Sequence, residues 1–157
     1  MKQKIDKNSI DLIVYDFDGV MTNNKVILLE NGMESVIVNR GDGLAIGMIK
    51  KLGIKQIILS TEQNVVVKKR AEKLNVPAIH SIENKKAALM NYCEENCVNL
   101  GRVAFVGNDI NDYEVMCSVG LKICPNDAEP EIIEIADIVL DKNGGDGVVR
   151  ELARYLL

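Results

Sequence analysis

The 157 residues are 47% hydrophobic and 27% charged, with 19 lysines and arginines against 23 aspartates and glutamates and a net charge of −4. That balance suits one globular domain with a sizeable core and offers no basic face to nucleic acid or to an anionic membrane. Apolar runs stop at about six residues, far short of the ~20 that span a bilayer, and the opening MKQKIDKNSI holds no apolar signal segment, so a cytoplasmic location is expected.

The first strand-like run, DLIVYD (11–16), leads into D-F-D-G-V-M-T (16–22), which sets Asp16 and Asp18 two residues apart. An ionised carboxylate buried without a partner is costly, so two of them at the end of a core strand require compensation. Next, KVILLENGMESVIV (25–38) holds two apolar runs around Glu30-Asn31-Gly32. It predicts a β-hairpin turning at Asn-Gly, a flap spanning about 23–40. N-R-G-D-G-L-A-I (39–46) then runs into an amphipathic stretch at 43–52. From there strand-like runs alternate with helical ones: KQIILS (55–60), VPAIH (76–80), RVAFVG (102–107), GLKIC (120–124) and ADIVL (136–140). The helical stretches are 63–74, 84–97, 110–118, 129–135 and, after N-G-G-D-G-V-V-R-E (143–151), a last one at 147–157.

Such alternation predicts a doubly wound three-layer α/β fold, with a parallel sheet covered on both faces. Runs such as IILS and VAFV, apolar on both sides, support it. One domain over 1–157 is expected, with the hairpin as its only addition. Cys93, Cys97, Cys117 and Cys124, with a single histidine in the chain, lack the pairing of a zinc site and are expected to be reduced thiols.

Open α/β sheets bind ligands beyond the carboxyl ends of their strands. Asp16 and Asp18 fall there, as do Ser60-Thr61 and Gly107-Asn108-Asp109, while Lys85 opens a helix close by. Singly, each has a plain structural explanation: a loop, a helix N-cap at Ser60, a solvated helix start at Lys85, a turn at GNDIND. Together, in this order, they suit a divalent cation and a phosphoryl group, with an aspartate able to attack phosphorus.

D-F-D-G-V-M-T, the serine ending the second strand, the downstream lysine and G-N-D-I-N-D resemble the four motifs of the haloacid dehalogenase (HAD) superfamily, across nearly the whole chain. The resemblance implies a Rossmann-like core and the following roles. Asp16 is the nucleophile; Asp18 protonates the leaving oxygen and then activates water; Ser60 and Lys85 bind the phosphoryl oxygens. Mg²⁺ sits on Asp16, the Asp18 carbonyl and the fourth motif, whose usual first aspartate is here Asn108, so that Asp109 or Asp112 could share the task.

Superfamily members commonly carry a cap, but the stretches 23–59 and 61–84 are each shorter than the ~50 residues of a small domain. The chain therefore resembles the capless group: phosphatases of 3-deoxy-octulosonate 8-phosphate and of nine-carbon keto-deoxy sugar acid 9-phosphates, and the domain attached to some sialic acid cytidylyltransferases. That resemblance implies a homotetramer whose hairpins build the interface. The segments 39–46 and 143–151 resemble the group's other signatures, the first offering Arg40 to the substrate. Ser60-Thr61-Glu62 departs from the T-G-R that octulosonate phosphatases place after the serine, and Arg70 and Lys73 lie one turn apart. Glu62, Arg70 and Lys73 thus match the substrate positions of the nine-carbon enzyme, against the plain alternative of a solvated helix face, and Thr61 beside Glu62 is a further substrate-binding candidate. Two other functions remain open: a weakly catalytic tetramerisation domain tied to sialic acid activation, and a phosphoacceptor module. The second is disfavoured because such modules place the acceptor on the third strand.

Overall fold

The computed structural model describes residues 4–157. In chain order the strands are β1 (Leu12–Tyr15), β2 (Ile27–Leu28), β3 (Glu34–Ser35), β4 (Lys55–Leu59), β5 (Ala78–Ile79), β6 (Val103–Val106), β7 (Leu121–Cys124) and β8 (Ile138–Val139). The helices are α1 (Arg40–Lys51), α2 (Val66–Leu74), α3 (Lys85–Glu95), α4 (Tyr113–Met116), α5 (Pro130–Ile135) and α6 (Val148–Leu156).

β1 sits in the middle of a parallel sheet ordered β5-β4-β1-β6-β7-β8. Its four residues are all buried, because a strand flanked by neighbours on both edges and helices on both faces has no wet side. Alternate side chains feed two cores. Ile13 and Tyr15 pack with Ile46 and Ile49 of α1, Val67 of α2 and Leu152 of α6. Leu12 and Val14 pack with Leu89 of α3, Met116 of α4 and Ile132 of α5 on the other face. Strand order reverses between β1 and β6, so the carboxyl ends of these two strands border the crevice where such sheets take ligands.

The predicted α/β architecture is therefore present, with shifts at the element edges. The segment 110–118 is a 3₁₀ turn at Ile110–Asp112 followed by the short α4, because Asp109 and Asp112 cap each other's backbone there. The helix predicted from 63 begins at Val66: Glu62 accepts from the Asn64 amide and Asn64 from the Val66 amide, which holds 62–65 in turns.

The hairpin is shorter than its apolar runs suggest. Only Ile27↔Ser35 and Leu28↔Glu34 pair as strands, with a separate bridge between Thr22 and Val38. The turn is a three-residue loop, Glu30-Asn31-Gly32: Leu29 N–H donates to the Met33 carbonyl, and Gly32 has φ +81°. Val36 and Val38 pack against the body, while Val26, Ile27, Leu28, Met33 and Ile37 are each more than half exposed. All four cysteines are free; Cys93 and Cys124 are buried, but Cys97 and Cys117 are exposed rather than core residues. No helix among the described residues is long and apolar enough to cross a membrane.

Candidate active site

β1 delivers Asp16 to the crevice with its carboxylate buried. One oxygen, Oδ1, accepts from the Phe17 amide at 2.7 Å and from Lys85 Nζ at 2.8 Å. Lys85 stands at the start of α3, whose N-cap Asn84 accepts from the Ala87 amide, and its ammonium is buried too. A second carboxylate, Asp112 Oδ1, takes the same ammonium at 2.7 Å. Asp112 Oδ2 in turn accepts the backbone amides of Asn108 (2.9 Å) and Asp109 (3.4 Å). Gly107 makes room for it, since a Cβ at that position would fall 2.8 Å from the Asp112 side chain.

The electrostatics follow from burial. Desolvation drives the Asp16 carboxyl well above the usual range, the Asp112 charge adds to this, and Lys85 opposes it. Burial alone would discharge Lys85, but Asp16 and Asp112 more than offset that and raise its pKa, so the ammonium is the firmly charged member. Half-buried Asp18 is raised first by desolvation and next by the charge of Glu62, with Lys85 opposing and Glu34 adding. Glu34, on β3, accepts from Asn64 Nδ2 at 3.4 Å, which carries the hairpin's end to the crevice.

On the other side of β1, Ser60 is buried at the end of β4 and its Oγ accepts from the Glu62 amide at 3.1 Å. The helix N-cap alternative for Ser60 fails, because α2 starts only at Val66. Thr61 Oγ1 meets Asn111 Nδ2 at 3.5 Å across the opening. Thr22, buried, accepts from the amides of Gly19 (3.2 Å) and Asn24 (3.1 Å) and so shapes the loop that carries Asp18.

The side chain of Asn108 reaches into the same point. One terminal atom of its amide lies 2.9 Å from the Asp18 carbonyl oxygen and 3.0 Å from Asp16 Oδ2. Asp109 does not join them. Its Oδ1 accepts from the Ile110 amide, the local bond that an aspartate makes at an N-cap.

The structure thus gathers Asp16, Asp18, Ser60, Lys85 and Asn108, with Thr61 and Glu62 at the opening. Arg40, Arg70 and Lys73 instead border a groove of about 560 Å³ between α1 and α2, lined also by Leu44 and Leu74. Arg70 is drawn there by the Asn39 carbonyl, to which its Nη2 donates at 3.0 Å. Two further cavities of about 390 Å³, beside Arg102 and beside Gln56, contain none of the gathered residues. A smaller one of about 260 Å³ runs from Lys85 past Asn111 and Glu114. Asp112, read from sequence only as a stand-in ligand, holds Lys85 and the Asn108 backbone; its signal is its place four residues after Asn108.

The haloacid dehalogenase-like hydrolase profile matches residues 48–152. The 3-deoxy-D-manno-octulosonate 8-phosphate phosphatase KdsC of Salmonella typhi is 32% identical over 150 residues, covering 95% of this chain and 80% of its own, and so spans the Asp16 motif that the profile leaves out. The chain belongs to the haloacid dehalogenase-like hydrolases. A HAD-family structure from Streptomyces avermitilis superimposes with a TM-score of 0.96 at 42% identity, covering 98% of this chain and 88% of its own. The octulosonate phosphatase of Moraxella catarrhalis, solved with magnesium, phosphate and KDO, gives 0.89 at 26% identity, over 94% of this chain and 85% of its own.

Phosphatases of this family use a divalent metal, and the residues here fit one. Among the described residues no three His, Cys, Asp or Glu side chains group as ligands. The convergence at Asn108 is instead one of mixed oxygens. With its amide oxygen inward, Asn108 lies about 3 Å from the other two oxygens, near the edge length of an octahedron with ~2.1 Å metal bonds.

Proposed function

We propose that this HAD phosphatase, a phosphoric monoester hydrolase, acts on the phosphate monoester of a 2-keto-3-deoxy sugar acid through an aspartyl-phosphate on Asp16. The observation that carries the reading is the Asp16 carboxylate itself. It is buried at the end of the central strand, with Oδ1 held by the Phe17 amide and Lys85 and Oδ2 turned toward the Asn108 side chain and the Asp18 carbonyl.

Asp16 attacks phosphorus, the P–O bond to the sugar breaks, and Asp18 gives its proton to the leaving oxygen. Desolvation and the Glu62 charge raise the pKa of Asp18, the direction that favours its role as the acid. Asp18, now a carboxylate, takes a proton from water as that water attacks the aspartyl-phosphate, which releases phosphate and restores Asp16. Ser60 and Lys85 donate to the phosphoryl oxygens and hold them in line. Asp16, the Asp18 carbonyl and Asn108 would hold Mg²⁺, which supplies charge neutralisation at the phosphoryl group when bound.

Glu62 supports a nine-carbon 9-phosphate over the eight-carbon 8-phosphate. An acid beside a phosphate site repels the substrate unless hydroxyls or an amine of the sugar donate to it, and Glu62 lies close enough to Asp18 to raise its pKa. Arg40, Arg70 and Lys73 line a groove that contains none of the crevice residues, so their role toward the sugar-acid carboxylate rests on the motif resemblance. The exposed apolar residues of the hairpin support a homotetramer in which neighbouring subunits close each other's crevices.

Phosphate release from both sugar-acid phosphates, with and without Mg²⁺, tests the reading. A higher kcat/KM for the nine-carbon compound, lost in Glu62→Ala, is expected. Preference for the eight-carbon compound would reassign the substrate, and release that ignores Mg²⁺ would overturn the site.

A further inference from the structure

The terminal atom that Asn108 turns toward Asp16 and Asp18 faces two acceptors and no donor. As oxygen it leaves three oxygens facing one another with no proton or cation between them. As nitrogen it donates to both, at 2.9 Å and 3.0 Å. Which atom lies inward is therefore decided by what occupies the space between them. An aspartate, the usual residue of the family at this position, has no such choice, because both of its terminal atoms are oxygens.

The surroundings leave the amide one freedom. The Asn108 backbone is fixed on both sides: its N–H donates to Asp112 Oδ2 at 2.9 Å and its carbonyl accepts from the Glu129 amide at 2.8 Å. The outer amide atom rests against Gly19, where a Cβ would fall 2.0 Å from it; Gly19 adopts φ +82°. With the side chain only 6% exposed, a half-turn of the terminal amide exchanges nitrogen for oxygen without moving any neighbour.

We propose that Asn108 is a reversible plug for the cation position: nitrogen inward when the position is empty, oxygen inward when a divalent cation is bound. The inference rests on the metal-dependent phosphatase reading and deepens it. In the empty protein the amide protons compensate the Asp16 carboxylate and the Asp18 carbonyl, so the apo state is stable without metal. Cation binding must first break those two hydrogen bonds, and it gains a neutral ligand rather than an anion. The substitution thus lowers metal affinity from both directions and lets the fold stand without metal.

Thermal unfolding in chelator and in saturating Mg²⁺, on wild type, Asn108→Asp and Asn108→Ala, tests the plug. In chelator Asn108→Asp should melt about 5 °C or more below wild type, since it places a third oxygen where the amide donated. Mg²⁺ should restore it to wild type or above, with a half-saturating concentration about tenfold lower than wild type's, because affinity follows ligand charge. Asn108→Ala should melt low in chelator and gain little from Mg²⁺. In ¹⁵N-labelled wild type the Asn108 side-chain amide resonances should move on adding Mg²⁺, a reading that needs no variant. Equal melting of wild type and Asn108→Asp in chelator, or an unmoved Asn108 amide signal, overturns the plug even where the phosphatase rate depends on Mg²⁺. Loss of the phosphatase reading would instead show as a rate unaffected by Asp16→Asn.

Discussion

The crevice and the hairpin invert each other's chemistry. Around Asp16, three charged side chains are buried with nearly every polar atom matched: Lys85 serves two carboxylates, and those carboxylates also cap backbone amides. Along 26–37, apolar side chains stand in solvent on a ribbon whose two strands pair at two positions. Buried charge is tolerable only when matched, and exposed apolar surface is stable only when covered. The charges of the first region are matched within one chain, whereas most apolar side chains of the second are left in solvent by the single chain.

Asp16→Asn gives the largest effect on rate. Removing the nucleophile should lower phosphate release by more than about 10³-fold, within the range that a lost covalent step costs. The same change removes a buried charge and should leave the melting temperature unchanged or higher. Turnover within tenfold of wild type would rule out an aspartyl-phosphate on this residue.

Lys85→Met breaks the matching instead. It leaves Asp16 and Asp112 buried together without their cation, a loss of about 3–5 kcal/mol by analogy with other severed buried pairs. Denaturant unfolding measures it. Adding Asp16→Asn to Lys85→Met should recover part of the loss, because one unmatched charge then remains rather than two. Strict additivity of the two changes would mean that the pair is not coupled.

The hairpin responds to the opposite operation. Ile27→Asp with Leu28→Asp places charges where apolar contact is expected, and Leu28 is 68% exposed within one chain. Folding of the subunit should change by less than about 1 kcal/mol, as exposed substitutions do. Sedimentation should then show tetramer for wild type and smaller species for the variant, with a fall in kcat/KM as the crevice opens. A monomeric wild type at micromolar concentration would show that the hairpin's apolar surface serves something other than self-association.

The crevice was the more legible of the two in the sequence. The continuous apolar run before Asp16 required a strand with no wet side, and the order of aspartates, serine, lysine and G-N-D required one edge of one sheet. Side-chain direction was not legible. Helical spacing put Arg70 and Lys73 on one face, but only the Asn39 carbonyl shows where Arg70 turns. G-N-D-I-N-D offered Asp109 and Asp112 alike; the nearer one makes the local cap and the farther one reaches Lys85. Two apolar runs around Asn-Gly predicted a long hairpin, yet strand pairing is confined to Ile27↔Ser35 and Leu28↔Glu34, while Val36 and Val38 turn toward the body.

Asp42 sharpens the comparison, being a buried carboxylate with no lysine bonded to it. It lies in the first turn of α1, 1% exposed, and its Oδ1 accepts the Arg150 amide at the start of α6 at 3.0 Å. The loop that leads into α6 donates the Gly145 amide to the Val20 carbonyl, so Asp42 anchors the segment behind the Asp18 loop. Burial lifts its pKa from 3.8 to about 6, with the Arg150 amide, the Arg70 charge and the Val149 amide holding it lower than burial alone would. Because the folded value lies above the unfolded one, the native state binds a proton between about pH 6 and 3.8 that the unfolded chain does not. Asp42 therefore destabilises the fold above pH 6, by at most about 3 kcal/mol, and the cost fades as pH falls toward 3.8. Asp42→Asn keeps an oxygen for the Arg150 amide and removes the charge. The variant should exceed wild type in stability at pH 7, and the gap should close by pH 4, read as the difference between two unfolding curves so that other carboxylates cancel. A gap that stays constant from pH 7 to pH 4 would show that Asp42 keeps an ordinary pKa, with the Arg70 charge offsetting its burial.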